Sequence, residues 1–221
     1  MKHVLGLLCL LTAAAVPVHA DTAAERLAES ALVVKEIMAA PDKGIPADLL
    51  AKAKCVVIVP GLKKAGLVIG GKYGRGFITC HTTGDWGAPA ALRIEGGSFG
   101  FQIGASETDV IMLLMDDRSV KGIMESKFTL GGDADVAAGP VGRSATAQTD
   151  ATMNAKILSY SRSRGVFAGL ALTGATLRQD LDENASLYGK KLTTKQIVSG
   201  NVTPPDAASE LLTLLKTYST H

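Results

Sequence analysis

The sequence predicts a single α+β domain, in which a mainly antiparallel, glycine-rich β-sheet forms a barrel-like core and helices lie at both ends. Apolar residues recur with period two through the middle of the chain, which is typical of strands. Helical spacing is concentrated in residues 22–54 and 182–218. No linker or change of composition divides the 221 residues, and the 24 glycines lie within strand-like patterns, so we expect one ordered domain.

Residues 1–20 have the pattern of a cleavable signal peptide. Lys2 begins a short basic segment, an apolar run follows, and Val-His-Ala at 18–20 fits the small-x-small cleavage rule. The apolar run is too short to span a bilayer as a helix. We therefore expect cleavage after Ala20 and a domain over residues 21–221. We expect the protein to be exported, to the periplasm or to the periphery of the envelope membrane.

An amphipathic helix is expected over residues 22–40, where Thr22 followed by Glu25 is a capping-box pattern and Pro41 ends the helical spacing. The first strand is expected to stop at Pro60-Gly61. Further helices are expected at 46–54, 117–124, 182–188, 194–199 and 205–218. Strands are expected at 55–59, 66–71, 73–80, 90–94, 96–104, 110–115, 127–130 and 156–161, with alternation again over 166–177.

The glycine-rich stretch 96–104 is the centre of the predicted sheet. Large apolar residues (Phe99, Phe101, Ile103) alternate there with small or polar ones (Ser98, Gly100, Gln102, Gly104), which predicts one bare face. A bare face allows another backbone or a ligand to approach closely. The apolar run 110–115 predicts a strand that is covered on both faces.

The sequence argues against an enzyme. The glycine-x-serine-x-glycine pattern at Ser98 needs a histidine base, and beyond residue 20 only His81 and the final residue, His221, remain. The segment 66–72 resembles a phosphate-binding loop, but Tyr73 stands where that loop needs a hydroxyl for magnesium. We therefore predict no enzymatic activity, no cofactor and no metal.

Two cysteines, Cys55 and Cys80, follow the predicted signal peptide. Both fall at the ends of strand-like segments, and export permits a disulfide between them. The alternative is two separate buried thiols that act as small apolar groups. The expectation leans to separate thiols, because a chain of this length needs no covalent staple.

Basic residues are concentrated in two stretches without acids, 49–84 and 151–179. Removal of Lys2 from the 23 basic residues leaves 22 against 21 acidic residues, which argues against binding of nucleic acid. The two stretches would suit one cationic face. The alternative, commoner for charge runs, is a solvated surface balanced by acids from elsewhere.

Several long blocks of the chain resemble the SYLF domain, a lipid-binding family that is also described as a yeast-type actin-binding domain. The blocks are AKCVVIVPGLKKAGLVIGGKYGRG, GGSFGFQIGASETDV, SKFTLGGDADVAAGPVGR, YSRSRGVFAGLALTGA and YGKKLTTKQIVSG. The resemblance covers roughly residues 21–215. Together with the signal peptide, it indicates an exported bacterial member of the family.

The resemblance implies binding of anionic membrane lipids, which are phosphoinositides in the eukaryotic members. Seven basic residues suit phosphate groups: Lys63, Lys64, Lys72, Arg75, Arg143, Arg162 and Arg164. We do not expect actin as a partner, because export separates the protein from actin. The alternative function is a structural or protein-interaction module of the envelope, which would pair through its bare glycine face.

Overall fold

The computed structural model describes residues 21–40, 44–66, 69–99, 104–125, 127–140, 155–163, 166–169, 172, 174–199 and 202–220. The helices in these ranges are α1 (Ala23–Ala39), α2 (Ala47–Lys52), α3 (Asp117–Ile123), α4 (Leu181–Tyr188), α5 (Thr194–Val198) and α6 (Ser209–Ser219), with a 3-10 turn at Asp206–Ala208. The strands are β1 (Cys55–Gly66), β2 (Ile69–Cys80), β3 (Ala90–Phe99), β4 (Gly104–Leu114), β5 (Phe128–Thr129), β6 (Val136–Ala138), β7 (Ile157–Ser163), β8 (Val166–Gly169) and β9 (Thr176–Gln179). None of the described helices has the length and apolar character needed to cross a membrane.

The described strands form one sheet in the order β5-β9-β3-β2-β1-β4-β7-β6, and β8 also pairs with β7. Every pair is antiparallel except β6 with β7. The sheet curls into a half-barrel, and its inner side holds one apolar cluster that extends from Phe128 near one edge to Ile157 near the other. The prediction of a mainly antiparallel sheet with helices at both ends of the chain is confirmed.

Both faces of the sheet are covered by apolar groups. Val56 and Ile58 of β1 pack with α1, α2 and α6 on one side, which we call the helix face. Val57 and Val59 lie on the opposite side, the inner face, in a cluster with α3 and α5. Successive side chains of a strand point to opposite faces, so a continuous apolar run fills both clusters. Residues 110–114 of β4 are likewise all buried, which confirms the predicted two-sided burial.

Helix α1 begins where the capping box predicts. The Thr22 hydroxyl accepts from the Glu25 amide at 3.2 Å, and the Glu25 carboxylate accepts from the Thr22 amide at 2.7 Å. Two amides at the start of the helix are thereby satisfied. Leu27, Val34 and Ile37 are buried against the sheet, so α1 packs on its own domain.

The first strand does not stop at Pro60-Gly61, and this expectation was wrong. β1 continues to Gly66, and its pairing with both neighbours shifts register in this region. Gly61 adopts φ +58°, a left-handed conformation that glycine tolerates, and its amide donates to Asp109 at 2.9 Å. Proline and glycine therefore form a β-bulge here rather than a turn.

Cys55 and Cys80 form a disulfide, which corrects the expectation of two separate thiols. The two residues lie directly opposite each other where β1 begins and β2 ends. The pairing register of the two strands therefore decides the bond, although the cysteines are 25 residues apart in sequence.

Candidate functional site

Beyond the bulge, β1 and β2 carry four residues that we call the lysine end: Lys63, Lys64, Lys72 and Tyr73. Lys63 pairs with Tyr73 in register, and Lys64 pairs with Lys72. Directly paired residues point to the same side of a sheet. Tyr73 lies four residues before Phe77 in β2, so the two side chains point to the same face. Phe77 belongs to the cluster under α1, so Tyr73 and its partner Lys63 lie on the helix face. Lys64 and Lys72 consequently lie on the inner face.

Lys64 and Lys72 place two like charges opposite each other, an arrangement that destabilises a sheet. Burial, and then the charge of Lys64, lowers the pKa of Lys72. Space for the Lys72 side chain comes from Gly96 of β3, where a Cβ would lie 3.3 Å from the Lys72 Cγ. No carboxylate of the described residues lies within ion-pair distance of either lysine, so the pair is available to an anion.

Arg75 lies on the helix face but is already engaged by two carboxylates. It contacts Asp180 at 2.9 Å and Glu183 at 3.1 Å, and Glu183 also pairs with Arg26 of α1. Asp180 and Glu183 raise the pKa of Arg75 against the effect of its burial. This network joins α1, β2 and the start of α4, so Arg75 serves to hold the helices in place.

Arg162 of β7 is engaged in the same way. It contacts Asp109 at 2.6 Å and also pairs with Glu36 of α1. Arg143 and Arg164, the remaining predicted lipid ligands, lie outside the described residues. The predicted cations therefore do not gather on one face: three lysines lie at the end of the sheet on two faces, while Arg75 and Arg162 form ion pairs.

A cavity of 330 Å³ lies beside the lysine end, between α1 and the helix face. Its wall includes Lys63 and Tyr73 together with the carboxylates Glu29, Glu107 and Asp109. Sequence reasoning missed these acids and the tyrosine. Only the register of β1 with β2 and β4, which pairs Lys63 with both Tyr73 and Glu107, brings them to one place.

Residue types that often take part in catalysis or metal binding have structural roles here. Cys55 is in the disulfide and has no free thiol. Asp133 accepts a hydrogen bond from the Thr129 amide at 2.6 Å, as in an ordinary turn. His81 stacks on Trp86 with ring centroids 3.8 Å apart, and burial lowers its pKa. The side chain of Ser98 lies outside the described residues.

Comparison with protein families matches residues 95–218 to the family described as "Ysc84: Las17-binding protein actin regulator". This segment runs from the second half of β3 through β4 and β7 to the C-terminal helices, of which it omits only the last residue of α6. The chain belongs to the Ysc84/SYLF family. The resemblance of the sequence to the SYLF domain is thereby confirmed, and the family is described by binding and regulation.

Curated relatives in this family come from yeasts and mammals. "LAS seventeen-binding protein 3" of Saccharomyces cerevisiae is 37% identical over 179 residues, which cover 79% of this chain and 39% of the relative. "SH3 domain-containing protein PJ696.02" of Schizosaccharomyces pombe is 39% identical over 175 residues, which cover 77% and 40%. "SH3 domain-containing YSC84-like protein 1" of Homo sapiens is 34% identical over 181 residues, which cover 81% and 53%. The chain thus spans about half or less of the length of these relatives.

Proposed function

We propose that this member of the Ysc84/SYLF family binds anionic phospholipid head groups at a membrane surface, without catalysis, through the lysine end. The observation that carries the proposal is the opposed pair Lys64–Lys72, which has no carboxylate partner among the described residues. Phosphate oxygens placed between two ammonium groups would relieve their repulsion and accept charged hydrogen bonds.

The expected affinity is modest. Each lysine near an anionic surface contributes about 1 kcal/mol, so Lys63, Lys64 and Lys72 together contribute about 3 kcal/mol. Such binding is reversible and weakens with added salt. Tyr73 is 49% exposed at the same end of the sheet, and tyrosine suits the boundary between head groups and acyl chains.

We also propose that the protein is exported, on the strength of the signal pattern in residues 1–20. The membrane would then be one of the cell envelope, and actin would not be a partner. Co-sedimentation with actin filaments tests this expectation. Salt-resistant binding to filaments would contradict it.

The experiment for lipid binding is sedimentation with two sets of vesicles, one rich in phosphatidylglycerol and one of phosphatidylcholine alone. We expect binding to the first set only, and less of it in added salt. The double variant Lys63→Glu/Lys64→Glu should lose this binding. The matched control Lys190→Glu/Lys191→Glu changes the net charge equally at exposed positions after α4 and should keep it. Equal loss in both variants would contradict a role for the lysine end.

A second candidate function is recognition of a protein partner by an open part of the sheet. The predicted bare face at 98–104 lies largely outside the described side chains. On the helix face, however, Gly71 and Gly97 pair in register, and a Cβ at either would meet no atom of the described residues within 4 Å. A partner backbone could approach closely there. Gly97→Arg should then abolish capture of the partner from a lipid-free extract and leave vesicle binding unchanged.

A further inference from the structure

The cavity between α1 and the helix face carries more negative than positive charge once its ion pairs are counted. Four carboxylates and four cations line it: Asp21, Glu29, Glu107 and Asp109 with Arg26, Lys63, Arg75 and Arg162. Each of the three arginines is paired with a carboxylate from outside the lining. Lys63 is the cation of the lining that has no ion-pair partner among the described residues.

Glu29 lines this cavity together with three other carboxylates. It makes no hydrogen bond or ion pair with any described residue. Its pKa is raised, first by partial desolvation and then by the charge of Asp21, against the opposing effect of Arg26, and Asp109 and Glu107 make smaller contributions in the same direction as Asp21. A cation placed among these carboxylates would remove part of their mutual repulsion.

The geometry suits an organic ammonium better than a metal ion. Both oxygens of Asp109 are already occupied, one by the Gly61 amide at 2.9 Å and the other by Arg162 at 2.7 Å. Calcium or magnesium needs about six oxygen ligands, whereas a primary ammonium needs only three acceptors. The carboxylate oxygens of Glu29 and Glu107 have no hydrogen-bond partner in the described part of the chain, and the half-exposed ring of Tyr73 offers a face for a cation.

A phosphate has a partner at the same cavity. Lys63 is exposed and lies opposite both Tyr73 and Glu107 in the sheet. Leu32 of α1, which is 50% exposed, also lines the cavity and gives the opening an apolar rim. An occupant would therefore meet the carboxylates of Glu29 and Glu107, the ammonium of Lys63 and the apolar side chain of Leu32.

We propose that this cavity binds a phosphoethanolamine group, with its ammonium between Glu29 and Glu107 and its phosphate on Lys63. A volume of 330 Å³ lies in the range of small-molecule sites and exceeds the size of this group. The group is the head of a membrane lipid and also exists as a soluble molecule. This site would let the protein recognise a zwitterionic head group in addition to the anionic surface of the proposed function. The proposal rests on that function only where the group is taken to be the head of a membrane lipid.

The first test uses soluble O-phosphoethanolamine, titrated into the full chain and followed by calorimetry or by NMR shifts. We expect saturable binding that Glu29→Gln weakens by about tenfold, the cost of one hydrogen bond to a charged group. Glu210→Gln, an exposed position on α6, is the matched control and should leave the affinity unchanged. Binding of inorganic phosphate with equal affinity, or an unchanged affinity in Glu29→Gln, would overturn the proposal. Circular dichroism checks that both variants fold.

The second test separates the two sources of the group. Phosphatidylcholine vesicles with and without phosphatidylethanolamine carry no net charge, so the opposed lysines contribute little to retention. If the ligand is a lipid, phosphatidylethanolamine increases sedimentation, and this increase is lost in Glu29→Gln but kept in the control Glu210→Gln. Binding of soluble phosphoethanolamine without any retention on these vesicles would overturn the lipid source. The phosphatidylglycerol vesicles described above contain no ethanolamine. Absence of binding to them would therefore contradict the proposed function of the lysine end and leave the proposal for the cavity intact.

Discussion

Removal of the Glu183 charge is expected to loosen the attachment of α1 to the rest of the domain. Glu183 is buried on α4 and pairs with both Arg26 of α1 and Arg75 of β2. In Glu183→Gln, Arg75 keeps its contact with Asp180, whereas Arg26 keeps only the backbone oxygen of Asp21 at 2.9 Å. The variant therefore leaves a buried guanidinium, with 10% of its side chain exposed, without a carboxylate.

Loss of one partner of a buried ion pair costs about 3 to 5 kcal/mol. Because Arg26 retains one hydrogen bond, we expect the lower value, about 3 kcal/mol in the free energy of unfolding. For a domain of this size, that loss lowers the melting temperature by about 6 to 12 °C. The same change should weaken binding at the cavity, since α1 forms one of its walls.

Urea unfolding followed by circular dichroism measures the effect. Asp182→Asn is the matched control, since this neighbour on α4 is 88% exposed and lies 4.0 Å from its lysine partner. We expect the control to change stability by less than about 0.5 kcal/mol. If Glu183→Gln costs no more than the control, the network does not hold α1. A cost in Glu183→Gln that persists when Arg26 is also changed to Met would show that the loss does not come from the unpaired guanidinium.

Three further outcomes are expected. Unfolded, unreduced protein should show no free thiol at Cys55 or Cys80, and Cys55→Ala/Cys80→Ala should lower the free energy of unfolding by about 3 kcal/mol; a free thiol at either of these two positions would contradict the disulfide. Gly76→Ala should be strongly destabilising, because a Cβ there lies 2.0 Å from the Ile58 carbonyl oxygen, whereas a Cβ at Gly71 meets no described atom within 4 Å, so Gly71→Ala should be tolerated; equal urea midpoints would refute this reasoning. Because the pKa of Glu29 is raised in the folded protein, this group stabilises the fold at pH values below its ordinary pKa of 4.5, and the stabilisation is lost as pH rises through the folded-state pKa. The free energy of unfolding of Glu29→Gln should therefore equal that of the parent in acid and exceed it at neutral pH, by less than about 0.5 kcal/mol because the group is exposed. A variant whose stability exceeds that of the parent more in acid than at neutral pH would contradict this reasoning.

The local conformation of much of the chain follows from the sequence. Thr22 and Glu25 define the start of α1 because both partners of the capping box lie within one helical turn. The run of apolar residues 55–59 predicts a strand that is buried on both faces, since neighbouring side chains point in opposite directions. Such features depend on groups that lie a few residues apart in the chain, so the local sequence pattern is enough to predict them.

The tertiary structure alone decided which charges remain available to a ligand. Arg75 looks like a free cation in sequence, yet its partner Asp180 is 105 residues away and reaches it only because β9 pairs with β3 and leads into α4. The pairing of Lys64 with Lys72 and of Cys55 with Cys80 depends likewise on the register of two strands. Hydrophobic spacing determines which face a side chain occupies, but it carries no information on which distant strand lies beside it. The ion pairs, the disulfide and the cavity therefore emerge only when the separate elements pack together.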